Sequence, residues 1–96
     1  MRFSLMCAPR QRWDRGETAA QAWRNFMSDA LLAERLGFDA VYVGEHHFCF
    51  ASGNSSPLVW LTQLAAQTER IRVGTSVICA AFHNPLRLGR IPDLRH

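Results

Sequence analysis

Residues 39–57, D-A-V-Y-V-G-E-H-H-F-C-F-A-S-G-N-S-S-P, decide how the rest of the chain is read. Residues 40–43 form a short apolar run, the pattern of a strand covered on both faces. The run ends at Gly44 and delivers Glu45, His46 and His47 together. A polar loop follows, with Gly53-Asn54 as a turn signal. Ser56 is a good N-cap and Pro57 a good first helical residue. Two histidines and a carboxylate at the end of a buried strand are the makings of an active-site rim.

Working outward, the pattern repeats on both sides. Residues 3–8, F-S-L-M-C-A, are almost wholly apolar and read as a first strand. A polar loop, 9–17, leads to Thr18-Ala19-Ala20-Gln21, which has the form of a capping box. Trp23, Phe26, Met27, Ala30, Leu31 and Ala33 then follow helical spacing, with Arg24, Asp29 and Arg35 on the wet side. Gly37 sits where a left-handed C-terminal cap is needed, so a helix is expected over 19–36. After the central stretch, Leu58, Leu61, Leu64, Ala65 and Thr68 outline a second helix ending near Glu69-Arg70. Residues 71–78, I-R-V-G-T-S-V-I, are a third strand, and Pro85 opens a third helix that Gly89 and Pro92 interrupt.

Strand, helix, strand, helix, strand, helix start, with strands beginning about 35 residues apart, is the rhythm of successive βα units. Right-handed crossovers make such a sheet parallel. The fold class is therefore α/β, built of parallel β/α units in one domain over 1–96. Three strands do not close a barrel, and residues 89–96 lose the amphipathic pattern. The chain thus reads as the front part of a larger protein, truncated, with an atypical tail.

Composition narrows the function. The chain has 96 residues and a net charge of +3, and all eleven basic residues are arginine. They are scattered rather than gathered into a stripe with aromatics, which argues against nucleic acid. Three widely spaced cysteines, with no C-x-x-C, argue for a reducing compartment and a cytoplasmic protein. The N-terminal apolar segment is too short for a signal peptide or a membrane span. No G-x-G-x-x-G or G-x-x-x-x-G-K signals a dinucleotide site or a P-loop.

Ligands of α/β folds collect at the carboxyl ends of parallel strands. Three places qualify: Cys7-Ala8-Pro9, Glu45-His46-His47, and residues 76–83. His46 and His47 are adjacent, so on extended backbone they point to opposite faces. One can enter the site while the other supports a loop. An imidazole there can donate, accept or act as general base near neutral pH. Glu45, His46, His47 and Cys49 form an alternative metal set. Their spacing is neither that of a zinc ribbon nor H-E-x-x-H, and no metal is assigned. A further alternative is a non-catalytic chain that self-associates through open strand edges.

Four blocks in order carry a family resemblance: G-E-H-H-F (44–48), S-P-L (56–58), L-A-x-x-T-x-R-I-R-V-G-T-S-V (64–77) and H-N-P-L-R (83–87). Over residues 2–88 the chain resembles the bacterial luciferase-like family of flavin-dependent monooxygenases. The resemblance implies a TIM (β/α)8-type barrel, of which this chain supplies the first three strands. It implies reduced FMN from a separate flavin reductase, with O2 and a small organic molecule as substrates; some relatives use F420 instead. It implies that His46 is catalytic, beside the flavin, with Glu45 and His47 supporting. Ala8, Ser76 and Val77 are the implied cofactor contacts, with a non-prolyl cis peptide at Ser76–Val77 against the ring. It also implies a homodimer through the helices after the second and third strands. The departure is Gly89-Arg90-Ile91-Pro92, where the family continues with an amphipathic helix. The family's phosphate-binding segments lie in later βα units.

Overall fold

The computed structural model describes residues 1–49 and 54–91. Its elements are β1 (Ser4–Cys7), α1 (Ala19–Arg35), β2 (Ala40–Val43), α2 (Pro57–Gln67), β3 (Arg72–Thr75) and α3 (Pro85–Leu88). Short 3-10 turns occupy Trp13–Arg15 and Ala80–Phe82. The strands form one parallel sheet in the order β1-β2-β3. Register runs from Ser4, Ala40 and Arg72 at one end to Cys7, Val43 and Thr75 at the other. The expected α/β class and parallel βα order are both present.

Local chemistry explains the boundaries. Thr18 and Gln21 make the reciprocal capping box: Thr18 Oγ1 accepts from Gln21 N–H at 3.2 Å, and Gln21 Oε1 accepts from Thr18 N–H at 2.7 Å. At the other end of α1, Gly37 has φ +85°. Its N–H donates to Glu34 O and that of Phe38 to Ala33 O, so a Schellman motif closes the helix. Pro57 opens α2 as expected, but the Ser56 side chain makes no capping bond. The helix stops at Gln67, earlier than the apolar pattern suggests, because Thr68 is already extended. There the Thr68 hydroxyl donates back to Leu64 O at 3.0 Å.

β3 is half its expected length. The sequence pattern runs through 71–78, but the regular strand ends at Thr75, one residue before the cis Ser76–Val77 peptide. α3 is four residues long, begun by Asn84, whose Oδ1 accepts from Leu86 and Arg87 N–H. Pro92, the rest of the tail through residue 96, and Gly53 of the turn signal lie outside the described residues.

One face of the sheet carries the core. Val41 and Val43 from β2 pack with Phe26, Met27, Ala30 and Ala33 from α1 and with Leu61 and Leu64 from α2. Leu5, Cys7 and Val73 join from the flanking strands. Trp23 and Leu31, expected in the apolar stripe of α1, are only half-buried. Trp23 instead meets Trp60 edge-on, ring centroids 4.1 Å apart, bridging α1 and α2. Strand alternation leaves Met6, Ala8, Tyr42, Gly44, Gly74 and Ser76 for the opposite face. No helix among the described residues covers that face. Glu34 ties the layers together: its Oε1 accepts from the N–H groups of Glu69, Arg70 and Ile71 at 2.7–3.0 Å. This fixes the entry into β3 against the end of α1.

Candidate active site

The carboxyl ends of the three strands meet in one row. Because Cys7, Val43 and Thr75 are in register, the next residues are Ala8, Gly44 and Ser76. Ser76 N–H continues the ladder to Val43 O at 2.9 Å. One residue on, Glu45 N–H donates to Val77 O at 3.1 Å, on the far side of the cis bond.

His46 and His47 part company here. His46 is exposed, and its N–H donates to Asn54 O at 2.8 Å. Its ring folds over Gly44. A Cβ added at Gly44 would lie 3.2 Å from His46 Nε2 and 3.3 Å from Ser76 O. Gly44 thus leaves open the space between the His46 imidazole and the Ser76 carbonyl that a side chain would crowd. A similar device operates one row back, where a Cβ at Gly74 would meet the Tyr42 ring at 3.1 Å. Asn54, wholly buried, holds the segment from below by donating its amide to Gly44 O.

His47 turns the other way, toward Glu45. Its Nε2 donates to Glu45 Oε1 at 2.6 Å, and its ring packs edge-on against Phe82 with centroids 4.7 Å apart. The Glu45 side chain is fully enclosed. Its Oε2 accepts from Cys79 N–H at 2.8 Å and from His83 Nε2 at 2.9 Å. Burial pushes this carboxyl up, but the bonds from His47, His83 and the Cys79 amide outweigh it. The pKa falls from the ordinary 4.5 to about 2. Glu45 is therefore an anion at every physiological pH, and it anchors the segment after β3 to the end of β2.

The sequence singled out Glu45, His46, His47, Ser76, Val77 and Ala8, and the fold gathers them at one edge. It did not single out Asn54 or His83. Asn54 read only as half of a turn. His83 sat in the H-N-P-L-R block with no assigned role, because nothing local links it to a carboxylate 38 residues away. The alternative metal set also changes membership. Glu45, His47 and Cys79 present donor atoms within 4.8 Å of one another. His46 and Cys49, both exposed, are not part of that group. Cys7 is a packing thiol: burial, helped by the charge of Asp29, pushes it up to about 11.

Comparison with known proteins gives a consistent picture. A family model described as "Luciferase-like monooxygenase" matches residues 1–90. The oxygenase component of a flavin-dependent trigonelline monooxygenase from Acinetobacter baylyi is 31% identical over 88 residues, covering 92% of this chain and 24% of that protein. An F420-dependent glucose-6-phosphate dehydrogenase from Rhodococcus erythropolis is 38% identical over 66 residues, 65% of this chain and 20% of that one. The crystal structure of monooxygenase RslO1 from Streptomyces bottropensis superposes with a TM-score of 0.81 at 32% identity, over 92% of this chain and 27% of its own. The chain thus spans between a fifth and about a quarter of the length of these relatives. Among the described residues, no helix is long and apolar enough to cross a membrane.

Proposed function

The chain belongs to the luciferase-like monooxygenase family, and from that premise we propose that it is part of a flavin-dependent monooxygenase using reduced FMN and O2. The observation that carries the reading is the exposed His46 imidazole, lying over side-chain-free Gly44 at the carboxyl edge of the sheet. Around it the surface suits a flat ring. Gly44 carries no side chain, and Met6 and Val77 are apolar yet 67% and 68% exposed. Covering such side chains is favourable, at about 25 cal/mol per Å² of apolar surface removed from water.

In this reading Ala8, Ser76 and Val77 hold the cofactor and His46 works at its edge. Bound reduced FMN would supply the electrons that activate O2 for transfer of one oxygen atom to an organic substrate. The residues of this chain supply position and protons. His46 Nε2 holds or delivers a proton where the reacting oxygen lies. Its backbone is fixed by Asn54, so the ring can turn without the strand end moving. Glu45 and His47 support, by keeping the segment after β3 against β2.

A separate flavin reductase is the proposed partner, supported by the relative named as an oxygenase component. A homodimer through the outer face of α2, where Val59 is 67% exposed, belongs to the same proposal. So does a cytoplasmic location, supported by free thiols at Cys7, Cys49 and Cys79. The second reading is an F420-dependent oxidoreductase, favoured by relatives so named.

Anaerobic titration with reduced FMN and, in parallel, with reduced F420 tests the proposal. Saturable FMN binding that Ser76→Trp abolishes supports it. Binding of F420 alone selects the second reading, and binding of neither, by this chain or by one extended through eight βα units, rejects both.

A further inference from the structure

The cluster around Glu45 joins three kinds of metal-ligating side chain. Glu45, His47 and Cys79 place a carboxylate oxygen, an imidazole nitrogen and a thiol sulfur within 4.8 Å of one another. Glu45 and His47 are two residues apart at the end of β2, and Cys79 comes from the segment after β3. A close-spaced ligand pair completed by a donor from a second segment is a layout that zinc sites use.

The carboxylate is already oriented as a metal-ligating one is. Its Oε2 is occupied by Cys79 N–H and His83 Nε2, at 2.8 and 2.9 Å. Oε1 faces His47 Nε2 at 2.6 Å, with His83 Nε2 more distant at 3.2 Å. Outer-shell donors of this kind fix the orientation of a ligating oxygen. The Glu45 side chain is sealed from solvent, whereas that of His47 is 25% exposed, so His47 is the donor that solvent reaches.

We propose that Glu45, His47 and Cys79 form a binding site for a zinc-class divalent ion that joins the end of β2 to the segment after β3. His83 stays outside the ligand set and orients the carboxylate. One thiol, one imidazole and one carboxylate select zinc or cobalt over magnesium or calcium, which prefer all-oxygen shells. Three protein donors leave a fourth position for water. A tetrahedral ion with bonds of about 2.0–2.3 Å sets its ligands roughly 3.3–3.6 Å apart. From 2.6 Å the Glu45–His47 pair therefore opens, and the wider spacings close, each by about 1 Å. On binding, Cys79 releases its thiol proton to solvent, and His47 moves its proton from Nε2 to Nδ1.

The site is independent of the flavin, so its test needs none. The reduced, dialysed chain is titrated with Co²⁺, which reports thiolate ligation through a charge-transfer band in the near ultraviolet. The expected result is saturation at one equivalent, with that band present and then erased by competing Zn²⁺. Cys79→Ser should abolish the band, while Cys49→Ser and Cys7→Ser keep it. His47→Gln keeps every thiol and should weaken binding roughly tenfold or more, the size of effect that disturbing a metal site's shell produces. Absence of stoichiometric binding by the wild-type chain overturns the proposal. So does a band that survives Cys79→Ser or disappears in Cys49→Ser, or unchanged affinity in His47→Gln. Circular dichroism of each variant shows that a loss reflects the site and not the fold.

Discussion

His83 Nε2 donates to Glu45 Oε2 at 2.9 Å, across 38 residues of sequence. This bond ties the turn after β3 to the end of β2, on the side opposite the exposed His46 ring. Its consequences for stability can be measured in the isolated chain.

Glu45→Ala removes the acceptor for His47, His83 and the Cys79 amide at once. Hydrogen bonds to a charged group contribute about 1.5–3 kcal/mol each and do not add simply. The expected loss is about 3 kcal/mol in urea unfolding, with Glu45→Gln falling between alanine and the wild type. A loss under about 0.5 kcal/mol, the level of an ordinary surface substitution, would contradict the anchoring role.

The same carboxylate sets an acid limit. Its folded pKa, about 2, lies below the ordinary 4.5. The unfolded chain therefore takes up a proton first as pH falls. The stabilisation is fully present above about pH 5 and drains away as pH drops from there toward 2. Urea midpoints measured at pH 6, 4 and 3 should decline in the wild type. The decline should be shallower in Glu45→Gln, and parallel curves would show that Glu45 is not responsible.

Gly44→Ala probes the space under His46. The new Cβ would lie 3.2 Å from His46 Nε2, which can swing aside, and 3.3 Å from the Ser76 carbonyl, which is backbone and cannot. A cost of about 1 kcal/mol is expected from the crowding. The His46 ring resonances should move while those of His47 stay in place. Unchanged His46 resonances would place the ring elsewhere.

Thr18→Ala tests the capping box on α1, where Thr18 Oγ1 and Gln21 Oε1 each satisfy a backbone N–H. Losing the Thr18 half should cost about 1 kcal/mol, measured as a shift in the thermal midpoint. Serine at the same position should restore most of it.

His46→Gln addresses the proposed chemistry. The side chain is exposed, so unfolding free energy should change by less than about 0.5 kcal/mol. Turnover of the flavin-dependent reaction should fall about a hundredfold or more, the scale of a lost general acid–base group. Full activity in this variant would remove His46 from the proposed mechanism.

The sequence by itself determined the elements and their order. Thr18, Gln21, Gly37 and Pro57 act on backbone groups within a few residues, so their capping and starting roles are readable where they stand. The apolar runs at β1 and β2, and the βα rhythm, likewise fix a parallel sheet whose strand ends carry Ala8, Glu45, His46 and Ser76. The four sequence blocks pointed to the family, and to the cis bond at Ser76–Val77.

Tertiary structure alone decided which side chains meet. Glu34 reaches from α1 to the N–H groups at the entry to β3, and Glu45 collects His47, Cys79 and His83. Asn54 carries Gly44 and His46 through its side-chain amide and its carbonyl. Glu34 with residues 69–71, and Glu45 with Cys79 and His83, meet only because parallel strands bring together residues more than thirty positions apart. A linear pattern records the period of burial. It does not record which distant donor a buried carboxylate will need, and that need is met only once the strands are side by side.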